Sequence, residues 1–247
     1  MEGSERAVSR LDLPPKALDF LSKSWGIKDL HPPQFEAMPS VLSGANTLLA
    51  IPTASGKSLV AYIGILRRLI VDEPGSKAVY IVPLKALATE KHEDLVALGG
   101  SVGLKAGLGI GDASGEAKKI DECDVLVCTS EKLDSLMRNR SELMANVSIV
   151  VADEFHLMND STRGPTLEIN LTRLRYLRPK AQIIALSATV GNCQELATWL
   201  DANLILSSWR PVALEYSTFH DLHLEPRLVQ SSQMSTESDI LQPPRDL

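Results

Sequence analysis

Cysteine is scarce in this chain: Cys123, Cys128 and Cys193 are the only three among 247 residues. Three thiols without a Cys-x-x-Cys pair exclude a disulfide framework, and Cys123 and Cys128 fall in an apolar stretch where they read as core residues. A run of about 18 apolar residues is also missing, which excludes a helix of membrane-spanning length. The first ten residues, Met1 to Arg10, lack the apolar centre of a secretory signal. These absences lead us to expect a soluble, intracellular protein in reducing surroundings, cytoplasmic if the source is prokaryotic or archaeal, with no membrane partner. Basic charge is not in excess either, since 25 Lys and Arg stand against 31 Asp and Glu for a net charge of −6. Non-specific nucleic-acid binders usually carry a basic balance. Any contact with a strand must therefore come from backbone N–H groups, hydroxyls at helix starts and a few lysines. His220 and His223 have His-x-x-His spacing, but no cysteine pair or carboxylate cluster accompanies them, so no zinc site is expected.

The chain does contain a regular alternation. At 44% hydrophobic and 23% charged, it has an ordinary globular composition and the length for one sizeable domain with a tail. Short β-branched apolar runs at 47–51, 78–82, 104–108, 125–128, 148–152, 183–186 and 204–206 alternate with amphipathic stretches at 57–71, 84–98, 130–139, 165–177 and 194–200. This alternation predicts an α/β fold: a mostly parallel sheet with helices on both faces. The strands read as continuous apolar runs, as expected for strands covered on both sides. A separate amphipathic helix over 14–25, with Leu18, Leu21 and Trp25 on one face, predicts a helical extension over residues 1–30, packed either on this sheet or on another domain. The nucleotide-binding domain is expected over 31–207. Beyond it, 208–247 reads as a linker and a flexible tail, rich in Gln, Ser, Glu and Pro.

The segment Ile51-Pro52-Thr53-Ala54-Ser55-Gly56-Lys57-Ser58 leaves a predicted strand and opens a predicted helix, the context a phosphate loop requires. Loop N–H groups and the positive helix end would surround phosphates, Lys57 would reach the β- and γ-phosphates, and the Ser58 hydroxyl would ligate Mg²⁺. Ile51 stands where the general pattern has Gly. Downstream, the apolar strand 148–152 delivers Asp153-Glu154-Phe155-His156 to its carboxyl end, where open α/β sheets bind ligands. Asp153 would hold Mg²⁺ facing Ser58, and Glu154 would orient and deprotonate the attacking water. The candidate catalytic residues are thus Lys57, Asp153 and Glu154, with ATP and Mg²⁺ as cofactors.

Together these two motifs resemble superfamily two helicases of the DExH class, over roughly residues 25 to 212. The resemblance implies a RecA-like domain, and the form Pro-Thr-x-x-Gly-Lys-Ser of the loop is the helicase form. Leu186-Ser187-Ala188-Thr189 is similar to the motif that couples nucleotide state to movement in this superfamily, with the hydroxyls of Ser187 and Thr189 expected on His156 and Asp153. His31-Pro32-Pro33-Gln34 resembles the adenine-recognising motif, since the Gln34 amide offers one donor and one acceptor to the base edge; a surface turn with a helix-starting proline pair is the other reading. Val82-Pro83-Leu84-Lys85 and Thr129-Ser130-Glu131-Lys132 resemble the strand-contacting motifs of the Ski-like group, with Gly111 in a loop between them. Pro83, Lys85, Gly111, Thr129 and Ser130 are therefore candidate nucleic-acid contacts. Helix capping by Thr129 or Ser130 would explain the second motif equally.

The segments around Trp199 and Trp209-Arg210-Pro211 narrow the resemblance to archaeal repair helicases related to the helicase part of DNA polymerase theta. Trp209 either leads into a second motor domain or packs at the domain edge. The resemblance implies an ATP-dependent DNA helicase of 3′–5′ polarity in repair or replication restart. Single-stranded or forked DNA would be its substrate and a second RecA-like domain its partner. An RNA helicase, or a nucleotide-binding module without motor activity, are the alternatives. Arginines from the second domain are worth about 10³–10⁵ in rate in such enzymes, so the chain alone is expected to bind nucleotide and hydrolyse ATP poorly.

Overall fold

In a computed structural model of the chain, the described residues are 4–110, 120–139, 144–189, 191–212, 217–220 and 223–226. Seven strands form one parallel sheet: β1 (Thr47–Ala50), β2 (Lys77–Val82), β3 (Ala106–Gly109), β4 (Val125–Thr129), β5 (Val147–Ala152), β6 (Gln182–Ser187) and β7 (Asn203–Leu206). Their order is β3-β4-β2-β5-β6-β1-β7. The helices are α1 (Pro15–Asp19), α2 (Pro32–Leu42), α3 (Lys57–Leu66), α4 (Lys85–Gly100), α5 (Ser130–Asn139), α6 (Gly164–Leu177) and α7 (Cys193–Leu200). Wider turns extend α1 through Phe20–Ser24 and α3 through Arg67–Asp72.

Alternation along the central strands splits the core into two layers. In β2, Ala78, Tyr80 and Val82 face the layer of α2, α3 and α4, whereas Val79 and Ile81 face α5, α6 and α7. In β5, Ile149 and Val151 point one way and Val150 and Ala152 the other. Both faces are buried, so every residue of β5 is enclosed. All three cysteines are buried free thiols, with Cys128 pushed up to about 12 by burial.

Residues 4–30 are integral to the first layer. Val8, Leu13, Ala17, Leu21 and Leu30 join the same cluster as α3. Trp25 lies against Tyr62 of α3 at 5.9 Å, and Arg67 pairs with Asp12. The predicted amphipathic helix thus packs on this domain. After β7, a separate antiparallel pair, β8 (Ser217–His220) and β9 (His223–Pro226), stands where only linker and tail are expected from the sequence. Residues 213–216, 221–222 and 227–247 of the expected linker and tail, and the candidate contact Gly111, lie outside the described residues.

The register sets up the site. Ala50 of β1 pairs with Ser187 of β6, Ala152 of β5 with Ala185 of β6 and Ile81 of β2, and Val82 with Thr129 of β4. Five adjacent strands therefore end nearly level. The segments after them, carrying Pro52, Asp153, Ala188, Pro83 and Ser130, leave one edge of the sheet.

Candidate nucleotide and strand-binding site

The phosphate loop leaves β1 and turns through two left-handed residues, Ala54 at φ 64° and Gly56 at φ 74°, before α3 begins at Lys57. Only glycine adopts such a φ at no steric cost. Close approach adds a second reason: a Cβ on Gly56 would lie 2.5 Å from Nε2 of Gln34. Within the loop, the Ser55 hydroxyl donates to the Pro52 carbonyl, and Lys57 Nζ donates to Ile51 O at 3.3 Å. Thr53 and Ala54 are exposed, Pro52 and Ser55 buried, and Ser58 half-buried. Burial holds the Lys57 ammonium below its ordinary pKa, while Glu154 and then Asp153 pull it back up. A buried ammonium at the start of a helix favours a bound anion.

The acid pair stands at the end of β5. Asp153 is buried, and burial raises its pKa against the lowering effect of hydrogen bonds from Tyr80 and the Glu154 N–H. Tyr80 Oη donates to Asp153 Oδ2 at 2.9 Å, and the Glu154 N–H donates to Oδ1 at 2.9 Å. Glu154 itself is left-handed at φ 50°, a strained conformation for a side chain of this size. Its carboxylate lies 3.4 Å from His156 Nδ1.

β6 ends beside this pair. The Ala188 N–H donates to His156 Nδ1 at 3.4 Å, whereas the Ser187 hydroxyl donates to its neighbour's carbonyl, Ala188 O, at 2.7 Å. The link between the acidic motif and Ser187-Ala188-Thr189 thus runs through the backbone, not through the expected hydroxyls. Ser187 is buried and turned onto its own chain, and Thr189 is exposed.

Gln34 lies in the first turn of α2, which starts on Pro32 and Pro33; prolines are tolerated there because first-turn N–H groups have no helical acceptor. Its Oε1 accepts the His31 N–H at 2.7 Å, and its Nε2 donates to Ser55 O and Gly56 O at 3.2 and 2.9 Å. Both ends of the amide, expected on the adenine edge, hold the phosphate loop and the helix start here. The His31 ring stacks on Trp209 with centroids 4.7 Å apart, so Trp209 packs at the domain edge.

The strand-contact candidates lie at the same sheet edge. Pro83 precedes the exposed Lys85 at the start of α4, while Thr129 and Ser130 are buried at the start of α5. Thr129 Oγ1 accepts the Lys132 N–H at 3.4 Å, a capping contact, and Asn170 of α6 donates to Ser130 O at 2.7 Å. Pro83, Ser130, Glu131, Asp153, Glu154 and Arg163 line one narrow cleft, which joins these candidates to the acid pair. Sequence reasoning missed two groups near the site. One is Tyr80; the other is Lys91 of α4, whose charge acts on both Lys57 and Asp153. Neither belongs to a short motif, so only the fold reveals them.

The donor set suits a magnesium nucleotide. Mg²⁺ takes oxygen ligands, commonly one or two carboxylates together with phosphate oxygens, and the buried Asp153 carboxylate, held by Tyr80, acts on the charge of buried Lys57, the residue before the Ser58 hydroxyl.

Residues 31–196 match the family described as DEAD/DEAH box helicase. The chain belongs to that family. It is 45% identical over 218 residues to the ATP-dependent DNA helicase Hel308 of Methanocella arvoryzae, covering 86% of this chain and 29% of that protein. To the protein of that name from Thermococcus kodakarensis it is 49% identical over 199 residues, 80% of this chain and 17% of the relative. The chain therefore spans less than a third of the length of the curated relatives it matches. Among solved structures, helicase Lhr of Mycobacterium smegmatis bound to ssDNA and AMP-PNP superposes with TM-score 0.69 at 28% identity, over 80% of this chain and 28% of that one. The DUF1998 helicase MrfA bound to DNA gives TM-score 0.70 at 22% identity, over 84% and 33%, and speaks for the fold alone. The seven-stranded parallel sheet is a RecA-like helicase domain.

Proposed function

We propose that this chain is the first motor domain of an ATP-dependent DNA helicase that works on single-stranded or forked DNA with a second RecA-like domain. The observation that carries this reading is the meeting, at one sheet edge, of a phosphate loop with buried Lys57 and the acid pair Asp153–Glu154. The relatives named above as DNA helicases favour DNA over RNA. The 3′–5′ polarity and a role in repair or replication restart are finer proposals, resting on the family resemblance.

Each residue has a task in this reading. The loop N–H groups of residues 53–58 and the start of α3 bind phosphate oxygens. Lys57 turns its free N–H groups to the β- and γ-phosphates. Ser58 and Asp153 hold Mg²⁺, whose charge, when bound, neutralises the phosphate oxygens. Glu154 takes a proton from the attacking water. His156, bonded to the Ala188 N–H, carries changes at the acid pair to β6. Gln34 shapes the loop through its bonds to Ser55 O and Gly56 O. Pro83, Lys85, Thr129 and Ser130, with Gly111 as a further candidate, grip strand phosphates without reading bases. Arginines of the second domain complete the γ-phosphate site, so this polypeptide binds nucleotide and turns ATP over slowly.

Titration calorimetry with ADP and ATP in Mg²⁺ tests the nucleotide site. Saturable binding by the wild type, reduced about a hundredfold or more in Lys57→Ala, is expected from the loss of a buried charge on phosphate. A folded wild-type chain that binds neither nucleotide would overturn the proposal.

A further inference from the structure

Tyr80 lies in the middle of β2, with Val127 on one side and Val151 on the other, and is wholly buried. A buried phenol needs a partner for its proton, and this one has a specific choice. It donates to Oδ2 of Asp153 at 2.9 Å.

Asp153 is one of the two side chains assigned above to Mg²⁺. A carboxylate has about four lone-pair positions. On Asp153, Tyr80 and the Glu154 N–H take one on each oxygen, which fixes the carboxylate plane and leaves the outer positions for a cation.

We infer that Tyr80 is a positioning residue for metal binding: its hydroxyl, donating to Asp153 opposite the Glu154 N–H, orients that carboxylate toward Mg²⁺. The inference rests on the assignment of Asp153 as a ligand. Tyr62 provides a matched control. Its ring lies 6.0 Å from Tyr80, it is almost as deeply buried, and its hydroxyl donates to a carboxylate, Asp94 Oδ2, at 2.8 Å. Asp94 belongs to α4, away from the phosphate loop.

The test measures ADP affinity of the 247-residue chain by calorimetry, once with excess Mg²⁺ and once with EDTA. The readout is the ratio of the two affinities, which plain loss of packing does not change. In Tyr80→Phe the EDTA affinity is expected within about twofold of wild type, which also shows that the protein is folded. The ratio is expected to fall about tenfold, the scale of one hydrogen bond to a charged group. Tyr62→Phe should keep the wild-type ratio, and Asp153→Asn should lose most of it. Should Tyr80→Phe keep its ratio while Asp153→Asn loses it, Tyr80 is a packing residue only and the ligand assignment stands. Equal weakening of Tyr80→Phe in both conditions would also reduce it to a structural role. A wild-type ratio in Asp153→Asn would overturn the ligand assignment and this inference with it.

Discussion

Gln34 gives the phosphate loop its only side-chain tether to α2 among the hydrogen bonds described here, through two bonds from Nε2 to Ser55 O and Gly56 O. Each neutral bond contributes about 1 kcal/mol, and a stranded buried carbonyl costs about 1–3 kcal/mol. Gln34→Leu is therefore expected to weaken ADP and GDP binding alike, by about tenfold, because the loop loses its shape. If ADP binding suffers much more than GDP binding, the amide serves the base and not the loop; parallel titrations with the two nucleotides decide. At this scale the sequence shows where the motifs lie better than what their side chains touch. Lys57, Asp153 and Glu154 were legible because their motifs sit where a strand gives way to a turn. The partners were not: Ser187 turns its hydroxyl onto Ala188 O, and Tyr80 reads as one more apolar position in a strand. Contacts between residues 73 positions apart, such as Tyr80 with Asp153, depend on strand order, which local pattern does not specify.

All seven strands of the main sheet were legible as elements, because runs such as residues 149–152 are apolar at every position and end at a turn. Helix α2 was not among the expected helices, although Pro32 and Pro33 read as a helix start, and Pro39 falls inside it. In the structure the pair occupies the first turn and Pro39 is exposed on the outer side. The start of α6 was expected within one residue, but its constraint was hidden. A Cβ on Gly164 would lie 2.2 Å from the carbonyl oxygen of Met158, in the turn Phe155–Asn159 that carries His156. A backbone atom cannot step aside as a flexible side chain does, so helix or turn must move. Gly164→Ala is expected to lose about 1–3 kcal/mol, as overpacked cores do, measured from urea unfolding. Since α6 also supplies Asn170 to Ser130 O, on the function proposed above the substitution should in addition weaken single-stranded DNA binding.

For the molecule as a whole, the family match beginning at residue 31 suggests a natural place to cut, and the packing contradicts it. Val8, Leu13, Ala17, Leu21 and Leu30 are at most 7% exposed, and all lie in the cluster that includes α3, the helix behind the phosphate loop. Backbone bonds close the segment on itself, with Val8 N–H on Lys28 O and Leu30 N–H on Arg6 O, both at 2.9 Å. It therefore acts as one unit clamped to α3 through Trp25 on Tyr62 and Asp12 on Arg67. Burying a large aliphatic side chain contributes about 1.5–3 kcal/mol, and a domain's net stability is only about 5–15 kcal/mol. Removing several such side chains, and exposing the face of α3 they cover, takes away a loss of the same order as the whole. A chain starting at residue 31 is expected to unfold without a cooperative urea transition, or with one displaced far toward zero denaturant, and to lose ADP binding with it. Circular dichroism through a urea series, run beside the 247-residue chain, makes the comparison. A shortened chain that unfolds at the same midpoint would show that the segment covers α3 without stabilising it. The linked loss of nucleotide affinity is the sharper part of the prediction, because α3 begins with Lys57 and Ser58, and whatever loosens the body of that helix loosens the site at its start.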